Sequence, residues 1–155
     1  MLKEGDPAPD FSLADDSGGR VSLKSLRGKR VILYFYPKDD TPGCTREACA
    51  FRDLTGDFAR SRTVIYGVSK DSLDSHQKFK TKYSLPFPLL SDPDLDIARA
   101  YGAWGKKTLY GKITHGVIRS TFVIDREGTI EKIYRNVKVD GHADAVLAFL
   151  SEQAR

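Results

Sequence analysis

The stretch that most constrains the fold runs from residue 31 to residue 54, because the spacing of its apolar residues changes there. Residues 31–36 form a short run of β-branched and aromatic side chains that ends at Pro37, which predicts a buried strand. Turn-forming residues follow at 39–43. Apolar side chains then recur every three or four positions, as on one face of a helix: Ala48, Phe51, Leu54 and Phe58. We therefore predict a strand followed by a helix to about residue 61, with Cys44 in or beside its first turn.

The two cysteines of the chain, Cys44 and Cys49, are chemically unequal in this arrangement. A helix N-terminus offers unpaired N–H groups and a partial positive charge, and both favour a thiolate over a thiol. Cys44 is therefore the candidate nucleophile, whereas Cys49, more than a turn further on, receives much less of this field. The alternative is that Cys44 is an inert structural cysteine, since free cysteines are among the most buried residues.

The rest of the chain alternates between strand and helix patterns. Two short strands are expected near Leu13 and Val21, ahead of the long strand. After the cysteine helix we expect a buried strand at 63–69, a helix from Asp71 or Ser72 to Tyr83, and a short edge strand at 89–90. A further helix should follow, with Asp92 as its N-cap and Pro93 as its first residue, and then a loop at 103–116. The last elements expected are strands at 120–124 and 129–135 joined by a turn, and a helix that begins at Asp140 or His142.

This order predicts an α/β fold. Parallel β-α-β units come first and an antiparallel hairpin comes last, which gives a mixed central sheet with helices on both faces. The arrangement is thioredoxin-like with an N-terminal extension. We expect a single domain over residues 1–155, since a chain of this length buries a substantial core.

Composition and charge exclude several classes of protein. The formal net charge of +4 comes from lysines and arginines scattered among acids, which does not indicate a nucleic-acid-binding face. No apolar run approaches the roughly 20 residues of a membrane span, and residues 1–11 lack the apolar region of a signal peptide. Two cysteines do not form a secreted disulfide framework, so we expect a cytoplasmic protein. The three histidines are too scattered to form a metal site with them.

The region around Cys44 resembles a known family. Pro37, Thr41 and Cys44 match the P-x-x-x-T-x-x-C active-site pattern of peroxiredoxins. The longer run FYPKDDTPGCTREAC, with four residues between its cysteines, is similar to the peroxiredoxin Q subgroup, also called bacterioferritin comigratory protein. The segments GKRVILYFYP, LLSDPD, YGAW and GVIRSTFVIDREG follow in the order of that family, so the resemblance covers about the whole chain. It implies a thioredoxin-like fold independently of the pattern of strands and helices.

The resemblance implies a thiol-dependent peroxidase of the atypical 2-Cys type. Cys44 would reduce hydrogen peroxide or an organic hydroperoxide and become a sulfenic acid. Cys49 would then form an intramolecular disulfide with it, and thioredoxin or a similar thiol reductant would reduce that disulfide. The resemblance implies that no haem, flavin or metal cofactor is needed. We expect a monomer.

Four residues near Cys44 are candidates for its environment. Thr41 either caps the helix or donates to the thiolate and the peroxide, and these roles are compatible. Gly43 lets the backbone approach closely, so that the amides of residues 43 and 44 can bind a peroxide oxygen. Pro37 and Pro42 remove N–H groups and shield the pocket, although as turn formers they need no catalytic role.

Two charged residues complete the predicted site. Arg119, directly before the strand at 120–124, matches the family arginine that neighbours the thiolate and donates to the peroxide. Taken alone, an arginine at the start of a strand is usually solvated. Glu47, one turn after Cys44, would anchor this arginine by a bidentate pair. Its alternative is a solvated acid on the helix surface.

Two other functions compete with peroxide reduction. A thiol–disulfide oxidoreductase shares the predicted architecture, but its two sulfurs would be expected in a C-x-x-C pair at the start of the helix. A non-enzymatic basic module would need a clustered basic face. An assay of peroxide consumption with excess dithiol separates peroxidase from module, and an assay of insulin reduction separates peroxidase from oxidoreductase.

Overall fold

The computed structural model describes residues 1–153 and has nine strands and five helices within them. The strands are β1 (Ser12–Asp15), β2 (Arg20–Ser22), β3 (Arg30–Phe35), β4 (Thr63–Ser69), β5 (Leu89–Ser91), β6 (Trp104–Leu109), β7 (Lys112–Val117), β8 (Ser120–Ile124) and β9 (Ile130–Tyr134). The helices are α1 (Pro42–Asp53), α2 (Thr55–Arg60), α3 (Leu73–Tyr83), α4 (Asp96–Ala100) and α5 (His142–Gln153). A single 3-10 turn at Lys24–Leu26 follows β2.

Seven of the strands form one mixed sheet in the order β2-β1-β5-β4-β3-β8-β9. Strands β3, β4 and β5 are parallel to one another, whereas β1, β8 and β9 run antiparallel to their neighbours. The predicted thioredoxin-like mixed sheet is therefore confirmed. The prediction of an edge strand at 89–90 is wrong, because β5 lies between β4 and β1. The pairing of β5 with β1 joins segments more than 70 residues apart, which a local pattern cannot reveal.

The central strand β3 contributes side chains to both cores. Val31, Leu33 and Phe35 pack on one face of the sheet, with Ala98 of α4 and the buried Tyr101. The alternate residues of β3 pack on the other face, and their partners there come from α1, α2, α3 and α5: Ala48, Phe51, Phe58, Phe79, Val146 and Leu150. A strand buried on both faces reads as a continuous apolar run, which is why the sequence revealed β3 so clearly.

The predicted loop at 103–116 is instead a β-hairpin. Strands β6 and β7 pair only with each other within the described residues, from Trp104 opposite Val117 to Leu109 opposite Lys112. The connecting residues Tyr110 and Gly111 both have positive φ, 52° and 76°, as in a type I′ turn. Tyrosine is unusual in that conformation and the flanking strands are rich in lysine and glycine, so the sequence lacks the usual signals of a hairpin.

Two predicted helix boundaries are also wrong. The cysteine helix breaks at Leu54, where the hydroxyl of Thr55 donates to the carbonyl of Phe51 and competes with the backbone. The helix expected to begin at Pro93, with Asp92 as its N-cap, begins at Asp96 instead. Asp92 still stabilises that helix, because its carboxylate accepts from the amides of residues 97 and 98 across the intervening turn.

No helix in the described part of the chain has the length and apolar character needed to cross a membrane.

Candidate active site

Cys44 is placed by the junction of β3 and α1. Thr41 occupies the N-cap position with extended backbone angles, and Pro42 is the first helical residue. The amide of Thr45 donates to the carbonyl of Thr41 at 2.8 Å, which closes the first turn. Cys44 therefore lies within that turn, where backbone N–H groups lack acceptors inside the helix. Its side chain is buried, with 2% of its surface exposed.

Sheet register brings Arg119 to the same place. Strand β8 runs antiparallel to β3, with Ser120 directly opposite Phe35. The first residue of β8 thus lies beside the last residue of β3, next to the start of α1. Arg119, which immediately precedes β8, reaches Cys44 although 75 positions separate the two residues.

The guanidinium of Arg119 contacts two acidic groups at once. Its Nη2 atom donates to Cys44 Sγ at 3.3 Å, and its Nη1 atom donates to Glu47 Oε1 at 2.6 Å. A Cβ atom on Gly43 would come within 3.3 Å of Nη2. Glycine at position 43 therefore leaves the space in which the guanidinium lies over the first turn of α1.

Glu47 is buried, with 1% of its surface exposed. Burial raises its pKa to about 7, although the charge and the hydrogen bond of Arg119 act to lower it. Burial also acts to lower the pKa of Arg119, but the negative charges of Glu47 and Cys44 outweigh it, so the pKa rises and the guanidinium stays charged. The predicted bidentate pair is wrong, because only Oε1 of Glu47 is engaged. Within residues 1–153, Oε2 is buried without a hydrogen-bond partner.

The other predicted residues lie close by in the β3–α1 loop. The hydroxyl of Thr41 donates to the carbonyl of Lys38 at 2.9 Å, and the Thr41 side chain accepts no capping bond from the helix. Pro37 follows the end of β3 and is half-buried. Their catalytic roles stay predictions.

Cys49 is half-buried on the same helix, α1, and both cysteines are free thiols in this structure. Helix α1 is continuous from residue 42 to residue 53, so both cysteines lie in unbroken helix. The described state is therefore the reduced one, with Cys44 enclosed beside Arg119.

Sequence reasoning missed Lys107 on β6. Its half-buried side chain lies against Gly116 of β7, where a Cβ atom would come to 3.4 Å of Lys107 Cδ. Burial and the charge of Arg119 lower the pKa of Lys107, while the negative charge of Cys44 opposes them. Its ammonium is thus within electrostatic range of the site. Only recognition of the β6–β7 hairpin would have placed it there.

Comparison with known families decides what kind of site this is. The sequence profile of the AhpC/TSA family matches residues 4–133. The chain belongs to the AhpC/TSA family. Peroxiredoxin Bcp of Bacillus subtilis is 48% identical over 153 residues, which cover 99% of this chain and 98% of that protein.

Solved structures agree with this assignment. A cysteine-to-serine variant of the Xylella fastidiosa peroxiredoxin Q is 35% identical, with a TM-score of 0.93 over 100% of this chain and 99% of the other. A Xanthomonas campestris bacterioferritin comigratory protein, described for its alkyl peroxide reduction activity, is 42% identical, with a TM-score of 0.89 over 94% and 92% of the two chains. The chain is therefore a peroxiredoxin of the Q or Bcp group, a thiol-dependent peroxidase.

Proposed function

We propose that Cys44 is the peroxide-reducing cysteine and that Arg119 stabilises both its thiolate and the transition state. The observation that carries this proposal is the placement of the Arg119 guanidinium. Its Nη2 atom lies 3.3 Å from Cys44 Sγ, while its Nη1 atom is held by Glu47. A guanidinium fixed in this way needs no reorganisation when negative charge moves from sulfur to the departing oxygen. Burial of Cys44 adds to the effect by excluding water.

The proposed first step forms a bond between sulfur and oxygen. The Cys44 thiolate attacks the terminal oxygen of the hydroperoxide, the O–O bond breaks, and the leaving alkoxide or hydroxide takes up one proton. Cys44 is left as a sulfenic acid, and the product is an alcohol or water. The free N–H groups in the first turn of α1 would bind a peroxide oxygen there, and Thr41 and Pro37 would border the pocket.

The proposed second step uses Cys49. Its thiol attacks the sulfenic sulfur of Cys44, a disulfide forms between them, and water leaves. Thioredoxin or a similar dithiol then supplies two electrons and two protons by exchange, which restores both thiols. The substrates we propose are hydrogen peroxide and small organic hydroperoxides. The alkyl peroxide activity described for the Xanthomonas relative supports the latter.

The proposed setting is the cytoplasm, where both thiols are kept reduced between cycles. We also propose that residues 1–155 act as a single monomeric domain. The seven-stranded sheet, which joins segments from residue 12 to residue 134, supports the single domain.

Cysteine variants test this scheme by peroxide consumption. We expect Cys44→Ser to abolish turnover, with less than about a tenth of the wild-type rate remaining, since no second thiolate is activated. Cys49→Ser should still form the sulfenic acid, detected by a trapping reagent and mass spectrometry, but should not turn over with thioredoxin. A small thiol can attack the sulfenic acid directly, so thioredoxin must be the only reductant.

Two results would contradict the scheme. Peroxide turnover by Cys44→Ser would remove Cys44 from the reaction, and full thioredoxin-driven turnover by Cys49→Ser would remove Cys49. An insulin-reduction assay on the wild type is the control for a general thiol–disulfide oxidoreductase.

A further inference from the structure

The loop that carries Thr41 towards Cys44 is bound to α3 through two consecutive aspartates. Asp40 is exposed, and its carboxylate accepts from Lys82 Nζ at 2.8 Å and from Tyr83 Oη at 2.9 Å, near the end of α3. The backbone of Asp40 has a φ of 56°, in the left-handed region that residues with a Cβ adopt infrequently, aspartate and asparagine more often than the others. The two bonds from α3 to its carboxylate stabilise this conformation.

Asp39 makes the buried contacts of this loop. Its Oδ2 atom lies 2.7 Å from His76 Nδ1 and accepts from Ser75 Oγ at 2.8 Å, both in the first turn of α3. Its Oδ1 atom accepts from Tyr36 Oη at 2.6 Å, and its backbone amide donates to Asp71 Oδ2 at 2.9 Å. No part of the His76 surface and only 7% of that of Asp39 is exposed.

His76 connects this aspartate to the sheet. Its Nε2 atom lies 3.0 Å from the carbonyl oxygen of Leu90 on β5, and a carbonyl can only accept, so Nε2 carries a hydrogen. One further proton is shared between Nδ1 and Asp39 Oδ2. The pair is therefore neutral overall, either as imidazolium and carboxylate or as imidazole and carboxylic acid, and burial leaves no uncompensated charge.

The Asp39–His76 pair lies at the base of the loop that leads to Cys44. Asp39 lies two residues before Thr41 and five before Cys44. Arg119 precedes β8 on one side of β3, whereas Leu90 lies on the opposite side of β3, beyond β4. A continuous chain of contacts thus runs from β5 through His76 and Asp39 into the loop that ends at Cys44. Neither residue touches Cys44 or Arg119 in the hydrogen bonds of residues 1–153.

We propose that the Asp39–His76 pair is the positioning element that sets Cys44 Sγ against Arg119 for attack on peroxide. The proposal rests on the assignment of Cys44 as the reacting cysteine. The distance from Sγ to Nη2 depends on where the loop lies relative to the sheet, and the pair supplies that placement. It acts on the oxidation step alone, because the disulfide with Cys49 does not need the Arg119 contact.

Asp39→Ala and Asp39→Asn form the central test. Alanine removes every side-chain contact of the loop at this position. Asparagine can keep all three partners, since its oxygen still accepts from Tyr36 and its amide nitrogen donates to an unprotonated Nδ1 while His76 keeps its hydrogen on Nε2. The bond to Ser75 is reversed, because the hydroxyl must then accept from the second amide hydrogen. We expect Asp39→Ala to slow Cys44 oxidation about 10- to 100-fold, the effect of a displacement of about 1 Å at a reacting atom. Asp39→Asn should restore most of this rate.

The measurement separates the two half-reactions. Reduced protein is mixed with excess hydrogen peroxide, and sulfenic acid and disulfide are followed by trapping and mass spectrometry. We expect oxidation to be slowed and disulfide formation not to be slowed. The stability control is Leu13→Ala, a truncation in the core on the opposite face of the sheet, which should leave both rates unchanged while the protein stays folded.

Variants of His76 test the same proposal independently if Asp39→Ala does not fold. In His76→Asn the amide nitrogen stands in the place of Nδ1 and can still reach Asp39, whereas in His76→Gln it stands in the place of Nε2 and can reach only Leu90. We expect His76→Gln to oxidise more slowly than His76→Asn.

Three outcomes overturn the proposal. The first is a wild-type rate of Cys44 oxidation in Asp39→Ala or His76→Gln. The second is an equal loss of that rate in the two variants at position 39, or in the two at position 76. The third is an equal slowing of Cys44 oxidation and of disulfide formation. Failure of the wild type itself to form a sulfenic acid at Cys44 would instead refute the proposed function, and the positioning role with it.

Discussion

At the scale of single residues, the proposed reactivity of the site depends on Arg119. Its planar fork reaches Cys44 with one nitrogen and Glu47 with the other, which a lysine ammonium could not do with the same geometry. Glu47 orients the fork from a buried position in α1, and Gly43 leaves room for it. The sulfur of Cys44, the guanidinium that contacts it and the acid that holds the guanidinium thus come from two segments of the chain.

Arg119→Ala is expected to slow oxidation of Cys44 by about 10²–10³-fold, since removal of one donor at a site of developing charge has this effect. The rate is measured by trapping the sulfenic acid under excess peroxide. The double variant Arg119→Ala/Glu47→Gln is the control, because the single variant leaves a buried carboxylate without its cation. A rate close to that of the wild type in both variants would show that Arg119 does not take part.

At the scale of elements, α1 holds the two cysteines apart. Five residues along a helix rise about 7.5 Å and turn about 500°, which leaves the two Cα atoms about 8.6 Å apart and the side chains divergent. A disulfide needs Cα atoms within about 7 Å and Cβ vectors that converge. The proposed disulfide between Cys44 and Cys49 would therefore require α1 to unwind in part, and a helix terminus is where such opening costs least.

We expect hydrogen exchange to show this unwinding. The disulfide form should lose protection from about residue 43 to residue 49 relative to the reduced form, while Phe51 and Phe58, which are fully buried, keep the following turns docked. Peroxide-treated Cys49→Ser is the matched control, since it can be oxidised but cannot form the disulfide. Equal protection of residues 43–52 in both redox forms of the wild type would contradict the prediction.

At the scale of the whole molecule, His142 joins α5, the sheet and α1. Its Nε2 atom lies 2.8 Å from Thr121 Oγ1 on β8, and its ring packs edge-on against Phe51 and Tyr134. Burial, with a contribution from the charge of Arg119, lowers the pKa of His142 from 6.5 to about 4. The unfolded chain therefore binds this proton more tightly, and the stability that His142 contributes above pH 6.5 is lost as the pH falls towards 4.

His142→Gln should remove this pH dependence. Glutamine can keep the hydrogen bond to Thr121 but does not titrate, so its packing cost is the same at every pH. Between about pH 7.5 and about pH 4.5 the wild type should lose about 2 kcal/mol more of its unfolding free energy than the variant does. Urea denaturation of both proteins at the two pH values measures the difference. A constant difference would mean that His142 is not the titrating group.

Local patterns determined a large part of this protein. The β3–α1 junction, the unequal placement of Cys44 and Cys49 and the order of the principal strands and helices follow from apolar periodicity and helix-start residues, which act over a few neighbouring positions. The same patterns missed the β6–β7 hairpin, because Tyr110 and Gly111 carry a weak turn signal and lysines replace the usual strand residues. Lys107 was missed with it.

Local patterns could not show which distant groups meet, although the family resemblance predicted that Arg119 neighbours Cys44 and pairs with Glu47. The register of β8 on β3 brings Arg119 to Cys44. The pairing of β5 with β1 makes β5 an internal strand, although the sequence predicted an edge strand there. Only the tertiary structure showed that Glu47 engages Arg119 through one oxygen and that His76 and Asp39 form a buried pair. These contacts and pairings join residues 37 to 93 positions apart, so they depend on sheet order and register, whereas sequence periodicity reports only the neighbours along a strand or helix.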